Sequence, residues 1–411
     1  MTAWDVVIVG AGPAGAALAC RLRPHCRVLL LDRDASCGSA LPRIGESLPG
    51  AARVLLQRFG VFDRFLADAH AERGATVSQW TARSDDDAPV WFDPLRDPNG
   101  PGWHLDRTRF DAGLREAAVA AGAELIDDCT RLQVSRSGDA WRIDLDARGV
   151  HPQQTHCAPV VVDASGRSAV LVRQLGLSRR ADDPLVCLYV HLQTAADDED
   201  HCTRLCVDRN GWWYSVRVPS GRRVLAFHLD ADDPEMKMLR APEQLLAKAR
   251  RQPLLIDVLA DVLADVHGDA AAMPVSTSST GTIVHARPAG SAAIDFAAMD
   301  RLPPGFFAIG DAVIAFDPIA SQGIFHALAS AESAAVAIEA LLAEVASVEA
   351  PLVEAALAAP KLARASASRE RYREEMQTVH ARYREHLQAT YADAVRYRDA
   401  PFWARRAHGM A

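Results

Sequence analysis

The feature that most constrains this chain is a pair of apolar runs joined by a glycine-rich turn. WDVVIV at 4–9 reads as a short buried strand, GAGPAG follows at 10–15, and AALACRL starts a helix. RVLLLD at 27–32 reads as a second strand, ending in an acid. Strand, GxGxxG, helix, strand and acid in that order form the dinucleotide-binding fingerprint in its structural context. Gly10 permits the tight turn and Gly12 lets backbone approach a pyrophosphate. Gly15 lets the helix pack close to the strand. With Pro13 and Ala14 they open a helix whose free N–H groups face the phosphates. Asp32 stands where a carboxylate bonds both hydroxyls of a ribose and disfavours a 2′-phosphate, and Arg33 follows it. The fingerprint alone does not choose between NAD and FAD.

The rest of the composition sets bounds. At 411 residues, two structural domains are expected. A net charge of -8 gives no basic footprint for nucleic acid. Lysine occurs only at Lys237, Lys248 and Lys361, and arginine carries the rest of the positive charge. Eight cysteines without CxxC spacing fit reduced thiols and a cytoplasmic setting. His201, Cys202 and Cys206 lack a matching second half for a zinc site and read as part of a strand, so no metal is expected. The apolar N-terminus lacks a basic n-region and carries the fingerprint, which argues against a signal peptide. No run of about 18 apolar residues indicates a membrane span.

Three further stretches follow. HLDRTRFDAGLREAAVAAGAEL at 104–125 reads as a short strand and a helix with Phe110, Leu114 and Ala118 on its apolar side. VVVDASGRS at 160–168 is a buried strand entering a small-residue turn. FFAIGDAVIAFDPIASQGIFHALASAESAA at 306–335 is a strand, a GD turn, a loop and a long small-residue helix.

The order GAGPAG, LDRTRFD, DASGRS, IGDA and DPIASQG resembles the FAD-dependent monooxygenases of the para-hydroxybenzoate hydroxylase fold and their relatives, the flavin-dependent halogenases. The resemblance spans roughly residues 1–345. It implies an α/β fold: a Rossmann-type FAD-binding domain, an antiparallel-sheet substrate domain and a helical C-terminal segment. It also implies FAD as cofactor. Gly310 and Asp311 match the turn that meets the ribityl chain. Pro318, Gly323 and Ile324 match the loop and helix start beside the flavin ring, and Arg107 matches an arginine near the FAD phosphates. Asp163 falls in a DASG form of the second fingerprint and is expected to act structurally. PRIGESLPG at 42–50 is similar to the GES loop of the halogenase-like branch, which makes Arg43 and Ser47 candidate cofactor contacts.

GWWYSVRVP at 211–219 is an imperfect match to the halogenase tryptophan box, with Trp212 and Tyr214 in its aromatic places. Two departures weigh against halide chemistry. No lysine precedes Lys237, so ERGATVSQW at 72–80 offers none, and Ala320 stands where halogenases carry a glutamate. The resemblance therefore implies a monooxygenase that acts through a flavin C4a-hydroperoxide on an electron-rich aromatic ring. Proton handling falls to Glu46, with Tyr214 and His326 as further catalytic candidates. The chain looks most like the tryptophan-modifying flavoproteins of tryptophylquinone maturation, which implies an aromatic substrate held in a protein or peptide. Halogenase, isoprenoid-type reductase and non-catalytic flavin-binding partner stay as alternatives. Electrons would come from NAD(P)H or a separate reductase. The oligomeric state is open.

The expected organisation is a discontinuous FAD domain at 1–75, 100–180 and 275–345. A substrate domain takes 76–99 and 181–274, with a helix near 241–264. C-terminal helices at 346–411 carry tyrosines at 372, 383, 391 and 397 and pack on the core. Turn-rich loops at 84–102 would form the entrance for a large partner.

Overall fold

The computed structural model describes residues 2–23, 25–33, 44–147, 150–195, 197–264, 283–348 and 355–407. Its first layer is a five-stranded parallel sheet in the order Phe306–Ala308, Val160–Asp163, Val6–Val9, Val28–Leu31 and Glu124–Ile126. The three central strands, VVIV, VLLL and VVVD, are buried at every position. Parallel strands covered on both faces call for such nearly continuous apolar runs, broken here only by Asp163 at a strand end. Helices Pro13–Leu22, Arg107–Ala120 and Gly323–Val348 supply cover. The last is long and apolar enough to cross a membrane by composition, yet it packs against Pro13–Leu22 and the tail helix Ala355–Asp393. Its small residues permit that close approach.

The second layer is a seven-stranded sheet. Its order is His285–Pro288, Leu185–Gln193, Arg222–Asp230, Gly211–Val218, Thr203–Asp208, Thr76–Gln79 and Val90–Phe92. All neighbours are antiparallel except Thr203–Asp208 with Thr76–Gln79. One face, with Trp212 and Tyr214, joins the main core; the other, with Val77, Trp213 and Phe227, forms a second core under helices Pro242–Ala249 and Pro253–Ala264. The sequence predicts one helix over 241–264. Pro253 instead starts a new helix after Gln252, because proline has no N–H to continue the previous ladder. Strand His285–Pro288, grouped with the FAD domain from sequence, is hydrogen-bonded into this antiparallel sheet.

A short sheet of Ser47–Leu48, Trp103–His104 and Ala71–Glu72 stitches the layers together. The tail packs on the core as expected: Tyr372, Tyr383 and Tyr391 are buried, as are Phe402 and Trp403 of helix Pro401–Ala407.

Candidate active site

The fingerprint turn divides its glycines into two classes. Gly10 has φ +110°, and a Cβ there would lie 2.4 Å from the Ala164 carbonyl oxygen. A Cβ on Gly15 would lie 1.9 Å from the Gly10 carbonyl oxygen. Both are required by the fold itself. Gly12 differs, because among the described residues a Cβ there would meet nothing within 4 Å. It lies at the N-cap of helix Pro13–Leu22, where no side chain caps the free N–H groups. An open cradle at a bare helix N-terminus fits a diphosphate. Asp32 accepts from the Ala11 N–H through Oδ2 at 3.0 Å and from the Arg33 N–H through Oδ1 at 2.7 Å. Its carboxylate is therefore fixed at the strand end, with lone pairs left for a ribose. Arg33 itself is exposed, and Arg43 lies outside the described residues.

Arg107 does something the sequence does not announce. Its Nε and Nη2 each lie 3.1 Å from Asp111, and Nη1 donates to the carbonyls of Ile44 and Gly45 at 3.0 Å each. Asp111 thus anchors two of its three nitrogens, and the third holds the GES loop, where Gly45 has φ +103°. That loop delivers Glu46 into the interior, only 2% exposed. The Glu46 carbonyl accepts from the Leu105 N–H at 2.8 Å, and Ser47 pairs in register with His104.

The delivered carboxylate faces the antiparallel sheet. The Tyr214 hydroxyl lies 3.4 Å from Glu46 Oε2 and 3.4 Å from Ser47 Oγ. Among the described residues, Glu46 Oε1 has no hydrogen-bond partner. Burial pushes the Glu46 carboxyl up to about 7, against the lowering charge of Arg107. Burial and the Glu46 charge raise the Tyr214 phenol well above its ordinary value. Glu46, Ser47 and Tyr214 are therefore brought together. His326 is not joined to them by a hydrogen bond. It packs edge-on to Phe316 at 4.7 Å, its Nε2 is unpartnered, and burial alone pushes it down to about 4. That is a neutral imidazole in an apolar setting.

Gly310, at φ +57°, places a would-be Cβ 3.0 Å from Ala14 Cβ, and its N–H donates to Ser330 Oγ at 2.9 Å. The GD turn thus lies against the start of the fingerprint helix. Asp311 Oδ2 is 3.5 Å from Arg167 Nε, and the Asp311 carbonyl accepts from Arg179 at 2.6 Å. Pro318 opens a single turn over Pro318–Ala320 that ends at Ser321, φ +49°. Among the described residues, Gly323 again has open space where a side chain would stand, while Ile324 is buried. Asp163 is structural: it accepts from the Ser165 N–H at 3.0 Å, the Ser165 hydroxyl at 2.6 Å and the Val172 N–H at 2.9 Å. Among the described residues, no group of three or more His, Cys, Asp or Glu could hold a metal.

The profile of the family described as FAD binding domain matches residues 3–253. The chain belongs to this family. It is an FAD-dependent oxidoreductase, and the open positions at Gly12 and Gly323 suit that cofactor. It is 29% identical over 340 residues to a putative FAD-dependent oxidoreductase, LodB, of Marinomonas mediterranea, covering 80% of this chain and 83% of that protein. It is 28% identical over 176 residues to a pyrrole-2-carbonyl carrier-protein brominase of Pseudoalteromonas luteoviolacea, covering 42% of this chain and 39% of that one. Among solved structures, the halogenase CmlS superposes with a TM-score of 0.74 at 22% identity, covering 99% of this chain and 68% of that one. The peptidyl tryptophan dihydroxylase QhpG superposes with a TM-score of 0.70 at 23% identity, covering 98% and 79%. These two likenesses establish the fold.

Several residues of this FAD-dependent oxidoreductase escape sequence reasoning. Arg167 donates to the carbonyls of Gly290 at 2.6 Å, Ala289 at 3.1 Å and Phe316 at 2.7 Å, so it fixes the segment carrying Asp311. Tyr383 Oη accepts from the Asp317 N–H at 2.7 Å. The only prior signals were the arginine within DASGRS and the tail tyrosines, which sequence alone reads as packing.

Proposed function

We propose that this flavoprotein is a monooxygenase that hydroxylates an electron-rich aromatic ring, most specifically a tryptophan side chain carried in a polypeptide. The observation that carries the reading is Glu46: a buried carboxyl with one unpartnered oxygen, poised near neutrality and facing Tyr214 on the substrate-side sheet. A group with that pKa both takes and returns a proton at physiological pH. Reduced FAD supplies the activation of O2, with NAD(P)H or a separate reductase as electron source. This chain's own residues supply the rest. Arg107 holds the loop, Glu46 moves the proton lost from the ring, Tyr214 orients Glu46, and the surrounding apolar core excludes water. Support for an oxygenase over a halogenase comes from the absence of any lysine before Lys237. The fold likeness to a peptidyl tryptophan dihydroxylase supports the substrate class. A cytoplasmic setting and a protein partner belong to the same reading; neither nucleic acid nor membrane is part of it.

Halogenation is the second reading, favoured by the likeness to the halogenase and the brominase. One experiment separates them. The FAD-loaded, reduced protein is mixed with ¹⁸O₂ and N-acetyltryptophanamide or a tryptophan-containing peptide, with and without bromide. The oxygenase reading expects ¹⁸O in the indole product, independent of bromide. Bromide-dependent substitution, or reoxidation to hydrogen peroxide with no labelled product, overturns it.

A further inference from the structure

The edge of the seven-stranded sheet is unusually apolar. Strand Val90–Phe92 is the last strand, and its exposed residues are Val90, Trp91 at 61% and Phe92 at 58%, followed by Leu95 at 76%. Natural sheet edges are normally blunted by charge, by proline or by covering segments. Here two aromatic side chains and a valine stand on a three-residue edge strand between Pro89 and Asp93. Exposed apolar side chains grouped on an edge strand suit a recognition site, and aromatic residues are enriched at such sites.

Register connects this edge to the candidate site. Val90 pairs with Ser78, Ser78 with Leu205, and Leu205 with Tyr214. Directly paired residues share a face of the sheet. Val90 and Phe92 therefore lie on the same face as Tyr214, three strand steps away, which is about 14 Å at ordinary strand spacing. A second row runs parallel to the first. Phe92 pairs with Thr76 and Thr76 with Thr203; the Thr203 hydroxyl bonds His104 Nε2 at 3.0 Å, and His104 pairs with Ser47 beside Glu46. Trp91 projects to the opposite face, with Val77.

The surroundings carry an excess of negative charge. Residues 83–97 contain Asp85, Asp86, Asp87, Asp93 and Asp97 against Arg83 and Arg96. Arg396 of the tail pairs with Asp85 at 2.7 Å. The apolar edge is therefore set in an acidic rim, which favours a basic partner.

We infer that Val90–Phe92 is the docking strand for the polypeptide substrate, which adds to the sheet as an extended, lysine- or arginine-flanked segment and so brings its aromatic target along the Tyr214 face. Among the described residues no further strand lies beside this edge; main-chain bonds to it would give affinity, and Phe92, Trp91 and Leu95 would give apolar contact. The inference rests on the proposed polypeptide substrate, but docking and oxygenation are measured separately.

The test uses the full FAD-loaded chain. The probe is a synthetic peptide in which threonine and valine alternate about one tryptophan, with paired lysines at each end. Its counterpart carries glutamates in place of the lysines. Amide hydrogen exchange reads docking. The expected result is protection of residues 90–92 by the lysine peptide and not by the glutamate peptide. In the double variant Trp91→Ser, Phe92→Ser that protection is lost and the peptide KM rises about tenfold. Turnover of N-acetyltryptophanamide stays unchanged, as do both readouts in Val119→Ser, an exposed valine on another element. Protection elsewhere or nowhere, equal protection by both peptides, or an unchanged response in the double variant overturns the inference. Whether the bound peptide gains oxygen decides the proposed function independently: protection at 90–92 without oxygen gain keeps the docking strand and sinks the monooxygenase.

Discussion

Tyr391 donates to Oδ2 of Asp317 at 2.8 Å, and the same phenol accepts from Trp212 Nε1 at 3.2 Å. One hydroxyl thus joins the tail helix, the loop that precedes Gly323 and the seven-stranded sheet. Asp317 is 1% exposed, and burial together with the Asp183 charge pushes its carboxyl up to about 6. Its Oδ1 holds the turn by accepting from the Ile319 N–H at 2.9 Å.

Tyr391→Phe leaves two buried polar groups, the Trp212 N–H and one Asp317 oxygen, without this partner. The expected loss is about 1–3 kcal/mol, read from denaturant unfolding of the apoprotein. Tyr397→Phe is the control. That tyrosine is half-buried and meets the Arg396 guanidinium across its ring at 4.8 Å, so its change falls within about 0.5 kcal/mol.

The glycine pair gives a sharper contrast. Gly12→Ala adds a methyl group to open space at a backbone conformation any residue adopts, φ −75° and ψ −174°. The apoprotein is expected to fold with unchanged thermal stability, while FAD affinity falls on the order of tenfold or more. Gly15→Ala puts a methyl 1.9 Å from a carbonyl oxygen and costs on the order of 3 kcal/mol or more before any cofactor binds. Calorimetry of the apoproteins and titration with FAD separate the two. Equal destabilisation of both apoproteins would contradict the open cradle at Gly12.

How much of this was written in the sequence varies by element. The fingerprint glycines have local causes, because a tight turn and a helix start are decided within a few residues, and they stand as the motif predicts. Glu46 and Tyr214 were each legible as candidates. Their 3.4 Å approach was not, since it depends on the short Ser47–Leu48 and Trp103–His104 pairing that brings a loop from one layer under a strand of the other. The resemblance implies Arg107 near the FAD phosphates; that Asp111, one helical turn on, holds two of its nitrogens is not legible in the motif. His326 is a further candidate in the sequence; in the fold it packs edge-on to Phe316 and makes no hydrogen bond to Glu46 or Tyr214. The roles of Tyr383 and Tyr391 depend on where a tail helix lands, and no local pattern records that.

Glu46 makes a prediction in pH. Its folded pKa of about 7 lies above the ordinary value of 4.5, because burial disfavours the charged form. Between those values the folded chain holds a proton that the unfolded chain has released, so this group's contribution falls as pH rises through the window. Glu46→Gln removes the titration. The variant is expected to gain stability relative to the wild-type protein as pH goes from 4.5 to 7. Its turnover drops about 10²–10⁴-fold, with loss of the limb near pH 7 in the rate profile. A profile that keeps that limb would remove Glu46 from the proton path.

His228 should do the opposite. It is buried and stacked on Trp212, with centroids 3.6 Å apart and planes 9° from parallel, and burial pushes it down to about 3 from 6.5. Below pH 6.5 the unfolded chain takes up a proton that the folded chain refuses, so stability is lost as the medium becomes more acidic. His228→Phe keeps an aromatic face against Trp212 while removing the titration. Unfolding curves between pH 7 and pH 4 are expected to show the variant gaining on the wild-type protein as pH falls, the reverse of Glu46→Gln over the overlapping range. Parallel curves would mean that His228 is protonated, or hydrated, in the folded state, and would relocate the acid sensitivity to His104, which burial likewise pushes down to about 3.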